Sequence, residues 1–140
     1  MQPQTPTSHC DQPPAMLLVD DHVQLRTIVR DWLRTLFPGY MFLEAGSGAQ
    51  AIRLAYDHRP VLMLLDIGLP DMNGLAVAHT IRTCCPAPHI IILSNHDEES
   101  SRQHAAHLGI DLFIAKNHIG TRLVPAIVQA LNLLHKVDTL

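Results

Sequence analysis

Cysteine is sparse in this chain of 140 residues: Cys10, Cys84 and Cys85 make an odd number, and two of them are adjacent. That pattern suits neither a disulfide framework nor a CxxC metal clip, so all three read as free thiols. No apolar run approaches the roughly 20 residues needed to span a bilayer, and the N-terminus lacks the basic and apolar blocks of a signal peptide. The cytoplasm is the expected compartment, and no membrane partner is expected. An excess of positive charge is also missing. Ten Lys and Arg against 13 Asp and Glu leave a net charge of −3, and the basic residues are dispersed. Direct nucleic-acid binding by this segment is therefore not expected. Ten histidines are present, and His104 with His107 would share a helical face at i, i+3, but no third ligand stands at a convincing spacing.

What is present is apolar residue in quantity: 47% hydrophobic against 16% charged, enough for a core and too much for disorder. The length suits one domain. Residues 1–14, MQPQTPTSHCDQPP, hold four prolines among polar residues and read as a flexible tail. The domain is expected over 15–136, with 137–140 as its C-terminal end.

Within it, short apolar runs alternate with amphipathic stretches, the pattern of βα units around a parallel sheet. The first run is Met16–Val19, followed by Leu25, Ile28, Val29, Trp32, Leu33 and Leu36 at helical spacing. The second is Tyr40–Leu43, then a helix from a Ser47 N-cap to Arg59, closed by Pro60. The third, Val61–Leu65, is apolar at every position and so is read as a central strand covered on both faces. A helix from about Asn73 to Arg82 follows. The fourth run, Ile90–Leu93, precedes a helix begun by Asp97 or a neighbour. The fifth spans Asp111–Ala115. The last helix, from about Thr121, carries Leu123, Ile127, Ala130, Leu131 and Leu134 on one stripe, with Pro125 tolerated in its early turns.

Polar residues end four of these strands: Asp20 and Asp21, Asp66, Ser94 and Lys116. In an open α/β sheet the crevice beyond the carboxyl ends of the strands is where ligands bind. Three carboxylates converging there repel one another unless a cation compensates, and hard oxygen donors suit Mg²⁺ (or Mn²⁺). Asp66 is then placed to act as a nucleophile toward a phosphoryl group. Lys116 supplies a point charge for Asp66 or for a phosphoryl oxygen, and Ser94 a hydroxyl donor whose movement could carry its loop. Singly, each residue has a plainer reading, an N-cap carboxylate or a solvated lysine. Four of them ending four strands in order do not.

These residues lie in LLVDDH (Leu17 to His22), LLDIGLPDMNGL (Leu64 to Leu75), IIILSN (Ile90 to Asn95) and LFIAKN (Leu112 to Asn117). On these motifs the chain resembles the response-regulator receiver family of two-component systems from about Ala15 to about Lys136. The DDH start and the Lys-Asn pair resemble the subgroup that usually carries a LuxR-type helix-turn-helix. The resemblance implies a flavodoxin-like, doubly wound, five-stranded parallel sheet of order 2-1-3-4-5 with five helices. It also implies that Asp66 accepts a phosphoryl group from a sensor histidine kinase. Asp21, Asp66 and the Gly68 carbonyl would hold Mg²⁺, with Asp20 acting partly through water. Ser94 and Phe113 would form a switch pair, and Lys116 the phosphate contact. A homodimer through helix four, strand five and helix five is the expected output, with transcription regulation downstream.

Some positions depart from the family's common pattern. Phe113 stands where tyrosine is common and has no hydroxyl. Asn95 is larger than the usual alanine or glycine. Gly68 and His96 occupy positions that vary with phosphoryl lifetime in the family. Asn117 replaces a proline, so the Lys116–Asn117 bond is expected to be trans. Two other functions compete: a degenerate receiver acting by contact without phosphorylation, and a small aspartyl-phosphate phosphatase. The phosphatase lacks a general-acid carboxylate, because Gly68 stands two residues after the nucleophile. The chain is not expected to be a turnover enzyme.

Overall fold

The computed structural model describes residues 12–84, 88–95, 99–110 and 112–138, with side chains as far as residue 132. Strand and helix alternate throughout: β1 (Ala15–Val19), α1 (Val23–Leu36), β2 (Met41–Ala45), α2 (Gly48–His58), β3 (Leu62–Asp66), α3 (Gly74–Cys84), β4 (His89–Ser94), α4 (Glu99–His107), β5 (Leu112–Ala115) and α5 (Ile119–Asp138). The strands pair in parallel in the order β2-β1-β3-β4-β5, the arrangement expected from the sequence.

The apolar runs explain the layers. Successive side chains in a strand point to opposite faces, so a strand apolar at every position can be covered on both. Leu17, Val19, Met63, Leu65, Ile90 and Ile92 pack on one face against Ala51 and Ala55 of α2, Leu75, Val77, Ala78 and Ile81 of α3, and Ala105 of α4. Met16, Leu18, Leu62, Leu64, Ile91, Leu93 and Ile114 pack on the other against Val29 and Leu33 of α1 and Leu123, Ile127, Ala130 and Leu131 of α5. Full burial of each large side chain contributes about 1.5 to 3 kcal/mol, which makes the two-layer cover the main source of stability.

Some boundaries differ from the sequence reading. β2 begins one residue later than Tyr40 and runs on to Ala45. β3 takes in Asp66, which pairs with Leu93. The largest correction concerns Pro125. A 3-10 turn over Lys116–His118 leads straight into α5 at Ile119, so Pro125 lies inside the helix instead of in its first turn. Proline removes the i+4 amide that would ordinarily donate to the Thr121 carbonyl, and both residues are exposed. Burial of Ile119 is what draws the helix start forward. Of the expected tail, residues 1–11 lie outside the described residues, while the Pro14 carbonyl accepts the Met41 amide at 2.8 Å. Cys10, Cys85, His96, Asp97, Asp111 and the final residues 139–140 also lie outside. Among the described residues no peptide bond is cis.

The segment between β3 and α3 turns back sharply. The Gly74 amide donates to the Ile67 carbonyl at 2.7 Å, and a Cβ on Gly74 would overlap the Asp66 carbonyl oxygen. Gly74→Ala is expected to destabilise the chain by about 1 to 3 kcal/mol through overpacking. Urea unfolding should show this as a lower midpoint at unchanged slope.

Candidate functional site

Sheet register assembles the site. Val19 pairs with Leu65, Asp66 with Leu93, and Ser94 with Ala115, so Asp20, Asp66, Ser94 and Lys116 fall side by side at the carboxyl edge. Asp20, Asp66 and Ser94 are 4%, 2% and 7% exposed. Buried carboxylates need partners, and a lysine supplies one for both. Lys116 Nζ lies 2.9 Å from Asp20 Oδ2 and 3.2 Å from Asp66 Oδ2. Both are close ion-pair contacts between buried groups. The remaining oxygens are used as well. Asp20 Oδ1 accepts the His22 amide at 2.9 Å, at the start of α1, and Asp66 Oδ1 accepts the Gly68 amide at 3.2 Å.

Two buried carboxylates face one ammonium. Burial pushes the Asp66 carboxyl above its ordinary 3.8; Lys116 opposes that shift, and the Asp20 charge adds to it. Burial works against the charge on Lys116, yet Asp20 and Asp66 together hold it above its ordinary 10.5. Asp21, with a half-exposed side chain, brings further negative charge to the rim. The site therefore favours an additional cation.

The donor chemistry fits a divalent metal. Asp20, Asp21 and His22 each present one ligand atom, all within 4.8 Å of one another. The sequence reading placed Asp21, Asp20, Asp66 and the Gly68 carbonyl around one ion. The structure groups the first two with His22, while Asp66 stands outside that group, turned to Lys116 and the Gly68 amide. His104 and His107 are exposed on α4.

Several supporting residues went unnoticed in the sequence. Arg26 Nη1 donates to the Asp20 carbonyl at 2.6 Å, while its Nε donates to Glu44 Oε1 at 2.9 Å; Arg30 Nη1 donates to Glu44 Oε2 at 2.6 Å. The two arginines stand at i, i+4 on α1, and Glu44 is an acid within a mostly apolar strand, a signal that could have been read. Asp71 accepts from the Gly48 amide at 2.8 Å and the Ala49 amide at 3.0 Å, capping α2 from the loop that follows Asp66. Ser47 Oγ accepts the Gln50 amide, and Gln50 Oε1 accepts the Gly46 amide, a variant of the capping box. A Cβ on Gly48 would collide with Met72, so glycine there lets the loop pack down on the helix. The Gly48 and Ala49 amides hold the Asp71 carboxyl below its ordinary 3.8. Phe113 is half-buried on β5, with Arg102 Cζ of α4 4.9 Å from its ring centroid, a cation–π contact.

The chain matches the response regulator receiver domain family model over residues 16–128. It is 35% identical over 101 residues to the transcriptional regulatory protein KdpE of Mycobacterium tuberculosis (strain CDC 1551 / Oshkosh), covering 72% of this chain and 43% of that protein. To the nitrate/nitrite response regulator protein NarL of Escherichia coli K12 it is 34% identical over 120 residues, covering 85% of this chain and 55% of NarL. The chain thus spans about half the length of these curated relatives. Among solved structures, the response regulator TrrA of Thermotoga maritima in complex with Mg(2+)-BeF aligns with a TM-score of 0.73 and 25% identity, covering 84% of this chain and 98% of TrrA.

Lys116→Met strands two buried carboxylates and should cost about 3 to 5 kcal/mol without added metal, whereas Asp66→Asn leaves one acid to one base and should raise Tm. The folded chain holds the Asp66 proton to higher pH than the unfolded chain does. It therefore binds more protons above pH 3.8, and this contribution to stability is lost as pH rises through the raised folded value. Thermal melts from pH 4 upward should show that decline in the wild type and its absence in Asp66→Asn. Asp71→Ala should lower Tm slightly and speed amide exchange at Gly48 and Ala49. Because the Asp71 carboxyl is depressed, its contribution is present above pH 3.8 and fades as pH falls through its lowered value.

Proposed function

Because this chain belongs to the response regulator receiver domain family of two-component systems, we propose that it is a phosphorylatable switch whose phosphoacceptor is Asp66. The observation that carries this reading is the buried Lys116 ammonium shared between Asp20 and Asp66. A carboxylate held in a water-poor pocket beside a cation has both a nucleophilic oxygen and a charge ready for a phosphoryl oxygen.

The donor would be the phosphohistidine of a sensor kinase. An Asp66 carboxylate oxygen attacks phosphorus, the P–O bond forms as the P–N bond breaks, and the departing imidazole keeps the electron pair and takes up a proton. Lys116 exchanges part of its ion pairing for contact with the transferred group, and the Ser94 hydroxyl donates to another of its oxygens. Asp21 and Asp66, with the Gly68 carbonyl and with Asp20 partly through water, would hold Mg²⁺ or Mn²⁺. When bound, that ion neutralises charge developing on the phosphoryl oxygens. The chemistry is self-modification, so the chain is read as a switch and not as a turnover enzyme.

Movement of Ser94 toward the phosphoryl group would repack Phe113, one strand away on β5, where Arg102 already holds one face of the ring. Signalling by this aromatic rests on packing and cation–π contact, since it has no hydroxyl. The α4-β5-α5 face is the proposed output surface, for a second copy of the chain or an effector that regulates transcription. After incubation with Mg²⁺ and acetyl phosphate, intact-mass spectrometry should show one added phosphoryl group on the wild type and none on Asp66→Asn. An unmodified wild type would sink the proposal and favour a receiver acting by contact alone.

A further inference from the structure

His22 sits where an ordinary N-cap side chain would close the first turn of α1, yet it makes no side-chain cap. Its imidazole instead faces the acidic rim: Nδ1 lies 3.5 Å from Asp20 Oδ1 and 3.7 Å from Asp21 Oδ1. These separations exceed those of a charge-assisted N–H···O bond, about 2.7 to 2.9 Å. They are close to the spacing of two donors bound to one ion. Ligands at about 2.1 Å from a metal are roughly 3.0 to 3.4 Å apart along an octahedral or tetrahedral edge. Backbone geometry prepares this placement, because the His22 amide is anchored on Asp20 Oδ1 at 2.9 Å, which pins the residue carrying the imidazole beside the carboxylate it would share.

The three ligand atoms lie within 4.8 Å of one another, forming a nitrogen-and-two-oxygen face. Lys116 occupies the opposite Asp20 oxygen, Oδ2, leaving Oδ1 as the oxygen common to the amide, the imidazole and any ion. The wholly oxygen donor set proposed above for the phosphorylation cofactor does not discriminate strongly among hard divalent ions. An added imidazole does, because magnesium keeps oxygen ligands and water whereas first-row transition ions accept nitrogen readily.

We propose that His22 is a metal-specificity residue: through Nδ1 it joins Asp20 and Asp21 as a ligand and tilts the pocket from Mg²⁺ toward a divalent first-row transition ion. The inference rests on the reading that the acidic pocket binds a divalent cation, and goes beyond it by assigning a ligand and a preference. His22 is largely exposed at the rim, 66% by side chain, so its replacement leaves the buried Asp20, Asp66 and Lys116 in place. An ion can also reach it from solvent without opening the core.

The test uses Mn²⁺ as the transition-ion probe, since Zn²⁺ or Ni²⁺ would be captured by the chain's other histidines. Calorimetric titration of the full chain with Mg²⁺ and with Mn²⁺ is compared for the wild type, His22→Ala, His22→Gln and Asp21→Asn. The expected result is that both His22 variants weaken Mn²⁺ binding about ten-fold or more while changing Mg²⁺ binding less than two-fold, with Asp21→Asn weakening both ions. Pulsed electron paramagnetic resonance of bound Mn²⁺ should show a nitrogen coupling in the wild type that is missing in His22→Ala, a signal that general loosening of the loop would not remove selectively. An unchanged Mn²⁺ to Mg²⁺ ratio, or no nitrogen coupling in the wild type, overturns the role of His22 and leaves the cation pocket standing. Failure of the folded wild type to bind either ion overturns the pocket and this inference together.

Discussion

One ammonium held between two buried carboxylates is the constraint around which the carboxyl edge of this sheet is organised. At contacts near 3 Å, each pairing is worth on the order of 5 kcal/mol at an effective dielectric of about 20, before the cost of desolvating the charges is counted. Lys116 offsets one of the two negative charges, and Asp21 adds to the excess at the rim. Burial raises the proton affinity of Asp66, and the Asp20 charge adds to that rise against the opposing pull of Lys116. A pocket in this condition is poised to accept a cation. A cation there would lessen the repulsion these carboxylates exert on an anionic ligand.

The interaction is possible because the fold brings together residues 96 positions apart, Asp20 and Lys116. Parallel register brings the strand ends level, β3 and β4 closing on Asp66 and Ser94 and β1 and β5 stopping one residue before Asp20 and Lys116, and the two apolar layers hold that register against slippage, since a one-residue shift would turn every buried side chain to the wrong face. Around this edge the loops are tied to neighbouring helices. Arg26 clamps the Asp20 carbonyl and Glu44 together. Asp71 and Met72 fasten the loop after Asp66 to the start of α2. Asp66 therefore sits between two anchored segments, which limits how it can move.

Much of this was legible in the residues. Continuous apolar runs such as Val61–Leu65 and Ile90–Leu93 identify doubly covered strands, and the polar residues closing them identify the site, because both follow from local periodicity. Boundaries were less legible where tertiary burial competes with local signals. Ile119 is buried against the sheet and pulls α5 forward past the point suggested by Thr121, placing Pro125 inside the helix. His22 was read only as part of a motif. Its imidazole acquires meaning from its distances to two carboxylates, which no spacing in the chain specifies.

The amino-acid sequence by itself determined the class of fold, the order of strand and helix, and the identity of the acid, hydroxyl and amine groups at the strand ends, since these depend on hydrophobic period and residue type. Only the tertiary structure decided how the charges are shared. It set Asp66 beside Lys116 and His22 beside Asp20 and Asp21, and it disclosed Arg26, Asp71 and Arg102 as supports. The reason is physical: periodicity is a property of neighbours along the chain, whereas ion pairing and coordination depend on distances of a few ångströms between residues far apart in it.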